Sequence, residues 1–426
     1  MTTEVEPSGA APAEAPPAAG PAAPAPAPAA KPKKKRKWLR RIGFTILIGG
    51  PVSALALWIA IHKIEWLGPW LADTGRSIVG NDAIAKLEDW AYGVQDEYNQ
   101  ATKGDQVPTA HWEVPELPES VKDETKKHAY PRFVPTNVGP MYTTFSAPGD
   151  GEWVPVIDPR NPDEPPPMWK TLLHPDKKRG WGLAAVVAID LRQVKLSLVV
   201  GMHEPTTKLK EAKEHTRTGV IPPGELKTAL AVFNGGFKTT HGNYGVKAEG
   251  KLFVEPRSFA CTIAGYAKDE LRIGDWANLE STESEMVWFR QTPACMYEGG
   301  EMHKGLTVEQ TTMWGATLDK DTVIRRSAIG LSADRQTLFV TITEATTATA
   351  IAKATHHAGA HDVAQLDVNW SYPKFVTVEP KEGDAANPTV KAIIDGFEYT
   401  EDDYVRKAMT RDFFYLTRKP PDPAQK

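Results

Sequence analysis

Residues Ile42 to Ile61 contain no charged side chain, and they follow directly on a basic cluster. Twenty residues of helix rise about 30 Å, the thickness of the hydrocarbon core of a bilayer. The preceding KPKKKRKWLRR at 31–41 holds eight basic residues and no acid. By the positive-inside rule this order predicts a cytoplasmic N-terminus and places residues 62–426 across the membrane. Gly49, Gly50 and Pro51 interrupt the run, which membrane helices tolerate. Trp38, Trp58, Trp66 and Trp70 stand where interfacial aromatics stand. A cleaved signal peptide would carry an apolar core of about 7–15 residues and then a small-residue cleavage site. Here His62, Lys63, Ile64 and Glu65 follow instead. The expectation is an uncleaved signal anchor in the inner (cytoplasmic) membrane, with the main domain periplasmic or extracellular.

Ahead of the span, residues 1–41 read as a disordered tail. The first thirty hold 12 Ala and 8 Pro, too little apolar surface to offset the entropy of ordering. Behind the span, 62–104 reads as a juxtamembrane segment with an amphipathic helix over 82–101. Ile84, Leu87, Trp90, Ala91, Val94 and Tyr98 recur at helical spacing. That apolar face has two candidate partners, its own domain or a second copy, and its own domain is the expectation. From 105 to 179 proline recurs too often for a long helix, so this stretch reads as an extended connector. Removing residues 1–41 from the chain's 50 bases and 54 acids takes away eight bases and three acids. The remaining 42 against 51 make a mildly acidic exported part, which argues against nucleic acid as a partner.

Residues 180–418 read as the folded domain. GLAAVVAIDL (182–191), VKLSLVV (194–200), AVFNGGF (231–237), VKAEGKLFVEP (246–256), SFACTIAGY (258–266) and ELRIGDW (270–276) are strand-like. MVWFRQTPACMY (286–297), TTMWGATLD (311–319), SAIGLSA (327–333), TLFVTITEA (337–345) and VAQLDV (363–368) continue the series. One clear helix, ATTATAIAKATHHAGA (345–360), opens on threonine and stops near Gly359. Many strands with few helices predict an α+β fold around a large mixed, mainly antiparallel sheet. Cys261 and Cys295 are the only cysteines, and in an exported domain either a single disulfide or two buried thiols fits. His356 and His357 are adjacent on the helix and point about 100° apart, so they do not form a shared metal site. No metal and no cofactor is expected.

Several segments, in order, resemble the bacterial phosphodiester glycosidase family. VVAIDLRQVKLSLVV resembles its opening strand pair, and Asn234, Gly235, Gly236 and Phe237 match its Asn-Gly-Gly-Phe motif. YGVKAEGKLF and WFRQTPACMYEGGE resemble its middle segments. RRSAIGLSADRQTLFVTIT, a helix and HDVAQLDVNWS resemble its arginine strand, crossover helix and terminal motif. The likeness covers roughly residues 180–380. It implies an enzyme that cleaves a sugar phosphodiester, with Asp367 as the catalytic carboxylate. Asn234, Gly235, Gly236, Asn369 and Ser371 would bind substrate, Arg326 would clamp its phosphate, and Lys238 and His241 would add positive potential. The family's terminal motif reads Leu-Asp-Gly-Gly-Gly-Ser, whereas this chain has Leu366, Asp367, Val368, Asn369, Trp370 and Ser371. Glycines there would form an anion nest; Val, Asn and Trp restrict the positive φ angles such a nest uses. Read without the family, Asp367 is a strand-end aspartate and Asn234–Gly236 a tight turn.

Two functions stand open. One is a membrane-anchored exported hydrolase acting on a sugar phosphodiester or related envelope glycan. The other is a non-catalytic glycan-binding or scaffolding module on the same fold.

Overall fold

The computed structural model describes residues 81–103, 112–308, 312–315, 323–369, 371–381 and 384–421, with scattered positions between 53 and 79. The tail at 1–41 and the expected span at 42–61 lie, but for two isolated positions, outside the described residues. Among the described residues no helix is long and apolar enough to cross a membrane. The chain divides into two compact units, Met1–Trp70 and Leu71–Lys426, and all of the sheet belongs to the second.

The fold is α+β, dominated by antiparallel sheet with few helices. The strands divide among three sheets rather than forming the single large sheet expected. The first sheet comprises β1 (Val154–Val156), β2 (Met168–Leu173), β3 (Leu183–Asp190), β14 (Thr337–Thr346), β13 (Ile324–Leu331), β15 (Asp362–Val368), β11 (Tyr297–Glu298) and β12 (Glu301–Met302), in that spatial order. The second runs β17 (Asp384–Ala392), β16 (Phe375–Lys381), β5 (Ala229–Asn234), β18 (Phe413–Arg418) and β4 (Val194–Val199). The third runs β7 (Lys251–Val254), β6 (Val246–Ala248), β10 (Met286–Thr292), β8 (Cys261–Tyr266) and β9 (Leu271–Asp275). Every ladder between these strands is antiparallel. Strongly twisted open sheets seldom exceed about ten strands without splitting into packed layers, which accounts for the division.

The core lies where the sheets face one another. Ile189, Ile329 and Val340 of the first sheet meet Leu198, Phe233 and Phe414 of the second and Phe253 and Ile263 of the third. The other face of the first sheet carries helix α2 (Ala348–His357), which buries Ile351, Ala352 and Ala354 with Trp169, Val186 and Ala328. β3 is therefore covered on both faces, and its sequence LAAVVAID shows no alternation. Helix α2 starts where the Thr347 hydroxyl accepts the Ala350 N–H at 3.1 Å, and Gly359, at φ +120°, ends the turn beyond it. β14 and β15 both flank β13 antiparallel, so they run in the same direction and α2 carries the chain between them.

Three local expectations change. β1 and β2 lie inside the stretch assigned to the connector, and β2 pairs with β3 along its whole length. The described remainder of that stretch, from residue 112, lies on the domain: the Trp153 and Trp169 indoles donate to the Thr136 and Phe133 carbonyls at 3.0 and 2.7 Å. Residues Thr312–Trp314, read as strand, form a 3-10 turn that buries Trp314. Helix α1 (Asn81–Lys103) forms as expected, but it meets the domain through its polar face. Asp96 makes a two-pronged ion pair with Arg179 at 2.9 and 2.7 Å, and Asn99 is buried, while Leu87, Trp90, Val94 and Tyr98 face outward.

Candidate active site

Three strand ends, one from each sheet, converge on the Asn-Gly-Gly turn. β5 ends at Asn234, β15 carries Asp367 and β10 carries Arg290. Arg411 and Asp412 arrive immediately before β18, whose pairing with β5 places Phe413 opposite Asn234. The Asp367 N–H donates to the Gly235 carbonyl at 3.1 Å and so joins the first sheet to the second at this point.

Asn234 is buried and its side chain is committed to the fold. Its Nδ2 donates to the Gly235 carbonyl at 3.0 Å and to Ser327 Oγ at 2.8 Å, and its Oδ1 accepts the Lys374 N–H at 3.2 Å. Ser327 Oγ in turn donates to the Asp367 carbonyl at 2.8 Å. The two glycines hold Asp412. The Gly235 N–H donates to the Asp412 carbonyl at 3.0 Å, and the Gly236 N–H to its Oδ2 at 3.2 Å. A Cβ on Gly235 would sit 2.1 Å from Asp412 Oδ2, and one on Gly236 2.7 Å from Arg290 Cζ. The motif is glycine because a carboxylate and a guanidinium press against its backbone. Arg290 closes this knot, donating through Nε to Asp412 Oδ2 at 2.8 Å and through Nη2 to the Phe237 carbonyl at 2.5 Å.

Asp367 lies beside the knot and is 3% exposed. Its Oδ1 accepts the Val368 N–H at 2.9 Å, and its Oδ2 is paired with the Arg411 guanidinium. Burial pushes the carboxyl up to about 6, against the opposing pull of Arg411 and of the Val368 N–H; Asp412 adds to the rise. Burial lowers the Arg411 guanidinium, but Asp367 and its neighbours outweigh that and hold it above its ordinary value. Arg411 also donates to the Gly236 carbonyl at 3.1 Å, and its guanidinium lies 3.8 Å from the centre of the Tyr372 ring. The Tyr372 hydroxyl is 3.0 Å from Thr410 Oγ1, and burial raises its pKa. Between Asp367 and Tyr372 the backbone turns through Asn369 at φ +153°, a conformation that favours glycine. Among the described residues, the buried Asn369 Oδ1 and Ser371 Oγ have no hydrogen-bond partner. Trp370 lies outside the described residues.

The structure thus brings Asn234, Gly235, Gly236 and Asp367 together, with Asn369 and Ser371 on the adjoining segment. Lys238 is half-buried and His241 exposed on the loop after the turn. Arg326 has a different task from the one expected. It is fully buried, donating to the Trp314 carbonyl at 2.7 Å, to Gln365 Oε1 at 3.1 Å and to the Thr346 carbonyl at 3.2 Å. The arginine on the catalytic candidate is Arg411. Sequence reasoning passed over Arg411, Asp412, Arg290 and Tyr372. Their one local signal is a charged Arg-Asp pair abutting the apolar run FFYLT at 413–417.

Cys261 and Cys295 form a disulfide, which resolves the two alternatives. Asp275, Cys295 and Glu298 place their candidate ligand atoms within 4.8 Å of one another. With Cys295 oxidised, that group offers two carboxylates and no thiolate, a weak donor set for a soft metal.

No family model matches the sequence, and no curated protein matches it. Among solved structures, the chain resembles the catalytic domain of zebrafish N-acetylglucosamine-1-phosphodiester alpha-N-acetylglucosaminidase, described as auto-inhibited by its pro-peptide. The TM-score is 0.39 at 14% identity, over 63% of this chain and 88% of that one. It also resembles a hypothetical protein from Synechocystis, with a TM-score of 0.32 at 10% identity, over 59% of this chain and 62% of that one. The chain therefore spans less than two thirds of the Synechocystis protein. Both are distant structural resemblances.

Proposed function

We propose that this protein is a membrane-anchored, exported hydrolase that cleaves the glycosidic bond of a sugar phosphodiester. The observation that carries this reading is the Asp367–Arg411 pair: a buried carboxyl raised to about 6, set against a buried guanidinium beside the Asn-Gly-Gly turn. Such a carboxyl holds a proton over part of the range near neutrality and can deliver it to the leaving phosphate oxygen while a water molecule adds to the anomeric carbon and gives up its proton to solvent. Arg411 supplies two N–H groups and a positive charge for the negative charge that grows on that phosphate as the bond to the sugar breaks. Both groups are covered in this conformation, with the Tyr372 ring 3.8 Å from the Arg411 guanidinium, so substrate entry requires Tyr372 to move aside. Anchoring rests on the basic cluster and the charge-free run at 31–61.

A second reading, a non-catalytic glycan-binding or scaffolding module on the same fold, draws on a different observation. The amides of both glycines already donate to Asp412, and the Asn234 side chain is fully engaged, so the turn offers a ligand little without rearranging.

Turnover separates the two. The purified full-length chain is incubated with a panel of sugar-1-phosphodiesters, and free sugar is measured. The hydrolase reading expects release by the wild type, a loss of about 10²–10⁴-fold in kcat for Asp367→Asn, and a weakened KM for Arg411→Lys. Saturable binding without release, by a protein that is folded by circular dichroism, supports the module instead.

A further inference from the structure

Helix α1 presents an apolar face to solvent. Leu87 is 57% exposed, Trp90 67%, Val94 47% and Tyr98 62%. Monomeric proteins seldom leave such a contiguous stripe uncovered, and it marks an interaction surface. The reverse of the helix is already occupied by the Asp96–Arg179 pair and the buried Asn99. The domain therefore fixes the helix and aims its apolar side outward.

The spacing of that side identifies the partner. Ile84, Leu87, Ala91, Val94, Tyr98 and Ala101 follow alternating steps of three and four residues, the a and d positions of a heptad, with Trp90 beside them at g. A 3.5-residue repeat meets its own kind: two such seams interlock when two helices pair side by side. The charges permit a parallel, in-register pair. In that register the residue at g faces the e residue five positions on in the other copy. The facing pairs are then Ala83 with Glu88, Trp90 with Gln95, and Glu97 with Thr102, none of which opposes like charges. Asp82, Asp89, Asp96 and Lys103 fall at f, away from the seam. A bilayer surface is the wrong occupant on charge. The helix carries five acids (Asp82, Glu88, Asp89, Asp96, Glu97) against Lys86 and Lys103, whereas helices that lie in the interface have a polar face rich in Lys and Arg.

We propose that α1 is the dimerisation element of this protein and that its partner is α1 of a second copy, parallel and in register. A pair of 23-residue helices is a short coiled coil, marginal by itself. On the anchored reading proposed above, two copies share one membrane, meet at a high effective concentration and point in the same direction, which favours the parallel pair. The proposal stands independently of the hydrolase reading, since none of these residues contributes to the Asp367 site.

Both native cysteines are joined in the disulfide, so among the described residues no thiol competes with an introduced one. Single-cysteine variants of the full-length chain are oxidised in expressing cells with a membrane-permeable oxidant, and the covalent dimer is measured on non-reducing gels. In a parallel, in-register pair each d residue faces its own copy. Leu87→Cys and Val94→Cys are therefore expected to cross-link at least fivefold more than Gly93→Cys and Gln100→Cys, exposed positions at c, away from the seam. Adding Leu87→Glu to Val94→Cys is expected to abolish the cross-link while leaving the unfolding midpoint unchanged, because position 87 is exposed in the monomer. A flat profile, no dimer at any position, or products of a mass other than twice the chain would overturn the proposal. So would Leu87→Glu reducing binding to phosphatidylglycerol vesicles while the Val94→Cys cross-link persists, which would assign the stripe to lipid.

Discussion

At the scale of single residues, the Asn-Gly-Gly turn gathers a set of buried charges. Asp412 and Arg290 neutralise each other against the backbone of the Asn-Gly-Gly turn, and Asp367 and Arg411 form a second pair beside them. The second pair has a measurable signature. Asp367 is raised from 3.8 to about 6, chiefly by burial. Below 3.8 the native and unfolded chains both hold the proton. Between 3.8 and about 6 the unfolded chain releases it while the native one keeps it, so stability falls as pH rises through that window and is level above it. A shift of roughly two units corresponds to about 3 kcal/mol. Urea unfolding from pH 4 to pH 7 is expected to show this loss in the wild type relative to Asp367→Asn; parallel profiles would remove Asp367 as the titrating group. Asp367 was legible in the sequence because it lies at the end of the apolar run VAQLDV. Its partner was not, since Arg411 lies 44 residues further along the chain and only the strand order brings it back.

At the scale of elements, the first sheet depends on a strand that the sequence hides. β2 reads MWKTLL between prolines and polar turns, yet it covers the edge of β3 and contributes Trp169 and Leu173 to the core under α2. A chain starting at residue 180 would expose the flat apolar edge of β3, a template for aggregation. A chain starting at residue 112 is expected to be soluble and monodisperse in size-exclusion chromatography, and one starting at 180 to be insoluble or aggregated. Equal behaviour of the two would show that β2 is dispensable. The strands that were legible, such as β3, β4, β8 and β13–β15, are apolar or branched runs bounded by turns. β16 and β17 carry charges and a proline within them, and the pairing of β16 with β5 and of β17 with β16, not their composition, makes them strands.

At the scale of the whole molecule, three sheets share one core and the disulfide ties two of them. Cys261 opens β8 in the third sheet, and Cys295 lies just before β11 in the first. The bond closes a loop with a sequence separation of 34, for which chain entropy gives about 3–4 kcal/mol of stabilisation. Guanidinium unfolding with and without reductant is expected to differ by about that amount, and no difference would mean that packing alone holds the sheets together. By itself the sequence determined what local patterning encodes: an α+β class, the strand runs around the core, and helix α2 with its threonine cap. It also set the amphipathic face of α1 and the candidate carboxylate. Only the tertiary structure decided which face of α1 meets the domain, how many sheets the strands form, that Arg326 supports the fold, and that Arg411 faces Asp367. The physical reason is range. Periodicity and capping act over a few residues and are written in the chain, whereas the pairing of buried charges depends on strand ends from three sheets arriving at one point.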